Sequence, residues 1–164
     1  MIITPKDLSK IREKHKNQKI IFCTGTFDFP HAGHLLFFED CKSLGDILVV
    51  VIGKDKNIQS YKGDKRPIMN EHIRLKMVDG MKPVDYVLLD TYDAPKDDPL
   101  FLINHFLEQL KPDIYTINKD AFNIPYREAM VKRLNIKLVI LERTCPAEFE
   151  GISTSSIIKK IKEL

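Results

Sequence analysis

Six aliphatic residues in a row, Ile47-Leu48-Val49-Val50-Val51-Ile52, leave no side chain suited to face water. Neighbours along a strand point to opposite faces, so a strand with this run must be covered on both sides. Sheets covered on both faces are built from parallel strands joined by helical crossovers, and that requirement governs the rest of the chain. Runs rich in β-branched and aromatic residues at 19–24, 84–89, 114–117 and 136–141 read as four further strands. Helical patterns fall between them. One starts at Thr4-Pro5 with Leu8 and Ile11 inward, and one follows Pro30 and stops at Gly45. The spacing predicts another over 70–81 with Ile73, Met77 and Val78 inward, and one over 100–110 with Leu102, Phe106 and Leu110 inward. Two more follow, at 125–134 and after Gly151. Residues 53–67, 91–99 and 142–151 read as loops.

Five strands alternating with helices predict α/β architecture: a single doubly wound, Rossmann-like domain over 1–164 with a five-stranded parallel sheet. Charge is nearly balanced, 26 Lys/Arg against 23 Asp/Glu for a net +3, which argues against a dedicated nucleic-acid or membrane surface. No apolar stretch approaches a membrane span, and the first residues lack the long apolar core of a signal peptide. Cys23, Cys41 and Cys145 are odd in number and lack metal-ligand spacing. Reduced, packed thiols in a cytoplasmic protein are expected.

The chemistry concentrates where the first long strand ends. Thr24-Gly25-Thr26-Phe27-Asp28-Phe29-Pro30-His31-Ala32-Gly33-His34 runs from a strand through a turn into a helix start. His31 and His34 are one helical turn apart and share a face at the helix N-terminus. Unpaired N–H groups and the positive dipole pole favour an anion there, and Gly33 lets a ligand approach the backbone. Near the other end, Gly151-Ile152-Ser153-Thr154-Ser155-Ser156 opens the last helix. One hydroxyl caps a helix, and the remainder can face a triphosphate. The polar segment 53–67 carries Lys54, Lys56, Lys62, Lys65 and Arg66 and follows a strand's carboxyl end, where open α/β sheets place ligands.

These two stretches resemble the G-x-F-D-x-x-H-x-G-H signature and the [IL]-S-[ST]-[ST]-x-[IL] element of the cytidylyltransferase-like nucleotidyltransferases. The resemblance runs from about Leu8 to the end. It implies transfer of a nucleotidyl group from a nucleoside triphosphate to a phosphorylated small-molecule acceptor, with Mg²⁺ carried by the triphosphate. Homodimers are common in such families. The helix before the first long strand, Lys62-Gly63-Asp64-Lys65-Arg66-Pro67-Ile68 leading to Arg74, and Gly151-Ile152-Ser153-Thr154 look like the branch that makes ADP-heptose from a heptose 1-phosphate. Glycerol-phosphate cytidylyltransferase is similar too. Two departures leave the base and the acceptor open. Cys145 to Glu150 intervene between Arg143-Thr144 and the serine run, and Ile117-Asn118-Lys119-Asp120 stands where the heptose branch has Lys-Gly-Gly-Asp.

By this resemblance His31 and His34 contact the phosphates, Lys62 or Lys65 closes over them, and Arg74 takes the pyrophosphate side. Ser153, Thr154 and Ser155 hold the β- and γ-phosphates. The backbone of Thr24, Gly25, Thr26 and Phe27 lines the nucleotide, with Asn118 and Asp120 in its pocket. Asp28 fixes the turn rather than binding metal, and no dedicated metal ligands are assigned. Two other classes compete: a nucleotide-binding module without turnover, and a dehydrogenase-type dinucleotide domain. The latter requires G-x-G-x-x-G, a spacing that Gly25 and Gly33 do not supply.

Overall fold

A computed structural model of the chain describes residues 1–93, 95, 100–142, 146–149 and 151–164. Part of the expected 91–99 loop, Arg143-Thr144 and Cys145 lie outside the described residues. In chain order the elements are β1 (Ile2–Ile3), α1 (Leu8–Lys14), β2 (Ile20–Gly25), α2 (Ala32–Ser43), β3 (Ile47–Ile52), α3 (Asp55–Lys62) and α4 (Glu71–Asp79). They continue with β4 (Tyr86–Leu89), α5 (Phe101–Leu110), β5 (Ile114–Asn118), α6 (Ile124–Leu134), β6 (Lys137–Leu141) and α7 (Thr154–Lys162).

The strands form one sheet in the order β1-β4-β3-β2-β5-β6, every pair parallel. The α/β class and parallel winding are as the sequence predicts, with six strands in place of five. The sixth is β1, a two-residue edge strand pairing Ile2 with Val87 and Ile3 with Leu88. Two residues carry no periodicity, and the proline that opens the next turn hides them further.

All six residues of β3 are buried, as the aliphatic run requires, and successive side chains pack on alternate faces of the sheet. Ile47, Val49 and Val51 pack on one face beneath α1, α5 and α6, with Leu8, Phe106 and Leu110. Leu48, Val50 and Ile52 pack on the other against Phe38 and Cys41 of α2 and Val78 of α4. Cys23 and Cys41 are buried free thiols. Gly45 does more than end α2, since a Cβ there would lie 2.7 Å from Cδ1 of Ile21. β3 lies on one side of β2 and β5 on the other, so the winding reverses at the β2–β5 gap, the place where open sheets bind ligands.

Two local expectations are corrected. Segment 53–67 is not all loop, because α3 forms inside it. A helix this short is marginal alone, but Ile58 is only 1% exposed and its burial contributes about 2 kcal/mol. Reciprocal bonds from Asp55 N–H to Glu71 (2.7 Å) and from Glu71 N–H to Asp55 (3.1 Å) tie its start to that of α4. On α4 itself Ile73 and Met77 are not inward: they are 46% and 48% exposed, while Arg74 and Val78 are fully buried. The helix is turned so that an arginine reaches the sheet.

Candidate active site

The turn after β2 is shaped by Phe27. Phe27 and Phe29 both take left-handed backbone, with φ of 48° and 50°, an unusual conformation for bulky residues. Aromatic packing holds it: the Phe27 ring lies 4.7 Å from Phe38 and meets His34 edge-on at 5.5 Å between centroids. Gly25 is required by the same ring, because a Cβ there would sit 2.8 Å from Phe27 Cζ.

His31 is the N-cap of α2, in extended backbone, and its Nδ1 accepts the Gly33 N–H at 3.1 Å. An Nδ1 that accepts leaves Nε2 as the proton-bearing nitrogen of the neutral ring, so His31 presents a donor. His34 stacks on it with centroids 3.9 Å apart and planes 23° apart. The two imidazoles therefore form one surface at the positive end of α2.

α7 begins next to them. Ser153 caps it by accepting the Ser156 N–H at 3.0 Å, and Ser156 Oγ accepts the Ser153 N–H at 2.9 Å. Thr154 Oγ1 donates to the Asp28 carbonyl at 2.8 Å, joining residues 126 apart in the chain. The Asp28 carboxylate, 2% exposed, accepts the N–H groups of Ile68 (2.9 Å) and Met69 (3.0 Å) and pairs with Arg66 at 3.0 Å. One aspartate thus ties the histidine turn to the segment that follows α3, and its carbonyl holds the serine helix.

Lys62 ends α3 and lines the same cleft as Arg66. Lys62 as a residue is exposed, yet loss of water around its ammonium, then the like charge of Arg66, hold its pKa below the ordinary lysine value. Arg74 does not reach the cleft. Its guanidinium is fully buried and donates to the carbonyls of Met69 (3.0 Å), Thr26 (2.5 Å) and Gly53 (2.7 Å) and to Asp55 (2.6 Å). The pyrophosphate role expected of it is corrected to a fastener between the ends of β2 and β3.

Beyond β4, Asp90 is 7% exposed and accepts from Asn57 (3.2 Å) and the Tyr92 N–H (3.1 Å). Burial pushes its carboxyl up to about 6, against the pull of those bonds. A group that keeps its proton longer when folded stabilises the fold fully below about pH 4, and that contribution is lost as pH rises through about 6. Asp90→Asn is therefore expected to raise stability by about 1–2 kcal/mol at pH 7.5 and to flatten the decline between pH 4 and 6. Urea midpoints at pH 4.5 and 7.5 check this, and an unchanged difference between them contradicts it.

The cleft at the β2–β5 gap has a volume of about 480 Å³. It brings together Phe27, His31, Gly33 and His34 with Lys62, and on the far side Ser153, Thr154 and Ser155. Asn118, the last residue of β5, and Asp120, in the turn after it, line it as well. Thr24, Gly25, Thr26, Lys65 and Arg74 do not. The Thr26 carbonyl serves Arg74, and Lys65 is exposed to solvent. Phe37, Asp40, Arg66, Lys119 and Leu141 line the cleft without having been singled out as site residues. The α2 residues among them follow a legible signal, since 37 and 40 each lie about one helical turn beyond the preceding site position, starting from His34.

A family model described as cytidylyltransferase-like matches residues 22–160, most of the chain and both helix starts. The chain belongs to the cytidylyltransferase-like family. It is a nucleotidyltransferase domain of that family. It is 38% identical over 156 residues to the "Bifunctional protein HldE" of Helicobacter pylori strain P12, covering 94% of this chain and 30% of that protein. The HldE of Helicobacter hepaticus is 33% identical over 161 residues, covering 98% and 30%. The chain thus spans about a third of the length of these relatives. A lipopolysaccharide core biosynthesis protein from Thermoplasma volcanium superimposes with a TM-score of 0.62 at 29% identity, covering 77% of this chain and 98% of that one. A pantoate–β-alanine ligase from Francisella tularensis shares the fold at TM-score 0.62 and 20% identity, covering 100% of this chain and 78% of the other. Among the described residues of this cytidylyltransferase-like domain no helix is long and apolar enough to cross a membrane.

Proposed function

We propose that the chain transfers a nucleoside monophosphate from a nucleoside triphosphate, ATP in our reading, to a sugar phosphate such as a heptose 1-phosphate, releasing pyrophosphate. The observation that carries this is the Thr154–Asp28 tether, which seats two helix N-termini on one cleft. Two positive dipole ends with imidazole, ammonium and guanidinium donors suit a polyphosphate better than a single neutral ligand. The sugar phosphate is supported by the resemblance to the heptose branch, and by relatives named HldE and lipopolysaccharide core biosynthesis protein. In this reading the enzyme works in the cytoplasm as a homodimer.

An acceptor phosphate oxygen attacks the α-phosphorus in line. The new P–O bond forms as the bond to the bridging oxygen breaks, and pyrophosphate leaves with that electron pair. Catalysis is positioning plus charge stabilisation. His31 and His34 donate to the transferred phosphoryl group. Lys62 and Arg66 flank the phosphates, while the Ser153 hydroxyl, the Thr154 N–H and the N–H and hydroxyl of Ser155 take the β- and γ-phosphates. Asn118 and Asp120 hold the nucleoside.

Among the described residues no three His, Cys, Asp or Glu side chains cluster as a metal cage. A cleft of cationic and hydroxyl donors fits Mg²⁺ bound chiefly by phosphate oxygens and water, neutralising charge on the triphosphate. The test is a matrix of ATP, CTP, GTP and UTP against heptose 1-phosphate, other sugar phosphates and glycerol phosphate, read by pyrophosphate release and product mass. ATP with heptose 1-phosphate is expected to give ADP-heptose. Product only from CTP and glycerol phosphate would overturn the branch, and no product from any pair would overturn the reading.

A further inference from the structure

The chain uses one device twice, and the second copy has no role in the reaction as described above. Asn70 caps α4 through bonds from the N–H groups of His72 (3.1 Å) and Ile73 (3.0 Å), and four residues on Arg74 returns its Nε–H to the carbonyl of Met69, just before the cap. Asn123 caps α6 through the Tyr126 N–H (3.4 Å), and four residues on Arg127 returns its Nε–H to the carbonyl of Phe122 at 2.8 Å, again just before the cap. Both arginines are at most 8% exposed. Arg74 spends its remaining donors on the ends of β2 and β3. Arg127 Nη1 donates to the Tyr115 hydroxyl on β5, and Tyr115, fully buried, packs edge-on against Phe22 of β2 with ring centroids 5.5 Å apart.

We infer that Arg127 is a positioning residue for the nucleoside end of the cleft. Resting on the proposed function, this role follows from how the cleft divides. The phosphate-binding groups gather at the starts of α2 and α7 with Lys62 and Arg66. The rest offers the apolar Phe37 and Leu141 with the acceptors of Asp40, Asn118 and Asp120 and one cation, Lys119. An uncharged planar base bearing an exocyclic amino group fits that half better than a phosphate, because acceptors outnumber the one cation, which also pairs with Glu142 at 4.0 Å. Two of those acceptors sit on the turn 118–123 between β5 and α6, closed by Ala121 N–H to the Asn118 carbonyl at 3.0 Å. The far end of this turn is the Phe122 carbonyl that Arg127 holds. Through Tyr115 and Phe22 the same guanidinium refers that turn to β2, the strand that leads into the histidines. Arg127 thereby sets the distance between the base acceptors and the phosphate grip without touching substrate.

The experiment compares binding of a non-hydrolysable ATP analogue with binding of inorganic tripolyphosphate, which needs only the phosphate half. Arg127→Met is expected to weaken the ATP analogue at least tenfold and leave tripolyphosphate within twofold. Arg127→Lys, able to satisfy one partner, should fall between, and Tyr115→Phe should weaken the analogue about threefold; these two milder variants carry the test if the first does not fold. In turnover, KM for the nucleotide rises while kcat and the acceptor KM hold. Equal loss for both probes, or none for the analogue, overturns the inference. A wild-type chain that binds neither probe sinks both this and the functional reading. A chain that shows the split but makes no product overturns the reaction alone.

Discussion

Replacing His34 by alanine is expected to cut turnover by about two to four orders of magnitude while the chain stays folded. His34 stacks on His31 in the cleft and touches Phe27 edge-on, so its removal takes one donor from the site and one aromatic contact from the turn. The aromatic contact is worth about 1 kcal/mol, too little to unfold a domain with two packed layers on its sheet. The donor would act where charge develops during transfer, and removing one such preorganised hydrogen bond costs about 3–4 kcal/mol of transition-state stabilisation. Pyrophosphate release at saturating substrates, with a melting curve as control, measures both effects. Near-normal turnover in a folded His34→Ala protein would remove His34 from the mechanism.

The second large effect concerns stability. Arg74→Ala is expected to destabilise the fold by about 3–5 kcal/mol, because three carbonyls and the Asp55 carboxylate lose a buried partner together. Arg74→Lys should recover part of this, since one ammonium cannot reach the ends of β2 and β3 and the Met69 carbonyl at once. The measurement is the urea midpoint of each variant, with tripolyphosphate binding beside it. Unchanged stability with lost tripolyphosphate binding would restore the direct phosphate role that the sequence suggests for this residue. The arrangement predicts the reverse: a folded Arg74→Lys protein loses stability first and phosphate affinity only as the turn loosens.

What the sequence discloses follows from how local each signal is. The unbroken aliphatic run at Ile47–Ile52 states its own burial, and the winding of the sheet follows from it. The histidine and serine runs are legible because helix starts announce themselves through caps and hydroxyls. Their meeting is not, since it rests on a bond between Thr154 and a backbone carbonyl far away in the chain. α3 is hidden for the same reason: a lysine- and glutamine-bearing segment carries one buried anchor, Ile58, and its other supports come from Glu71 and Asp90. α4 misleads actively. Ile73 and Met77 have the spacing of an inward stripe, but the unmet carbonyls at the ends of β2 and β3 draw Arg74 inward and turn that stripe to solvent. Arg66 is one cation among several in sequence, and only the buried Asp28 carboxylate distinguishes it.

A structure with a triphosphate analogue that cannot be cleaved between its α- and β-phosphates tests the central claim most directly. The phosphate chain is expected to lie between the His31–His34 pair and the N–H groups of Thr154 and Ser155, its α-phosphorus facing the open mouth beside Lys62 and Arg66. A triphosphate bound elsewhere, or one touching only one of the two helix starts, would contradict it.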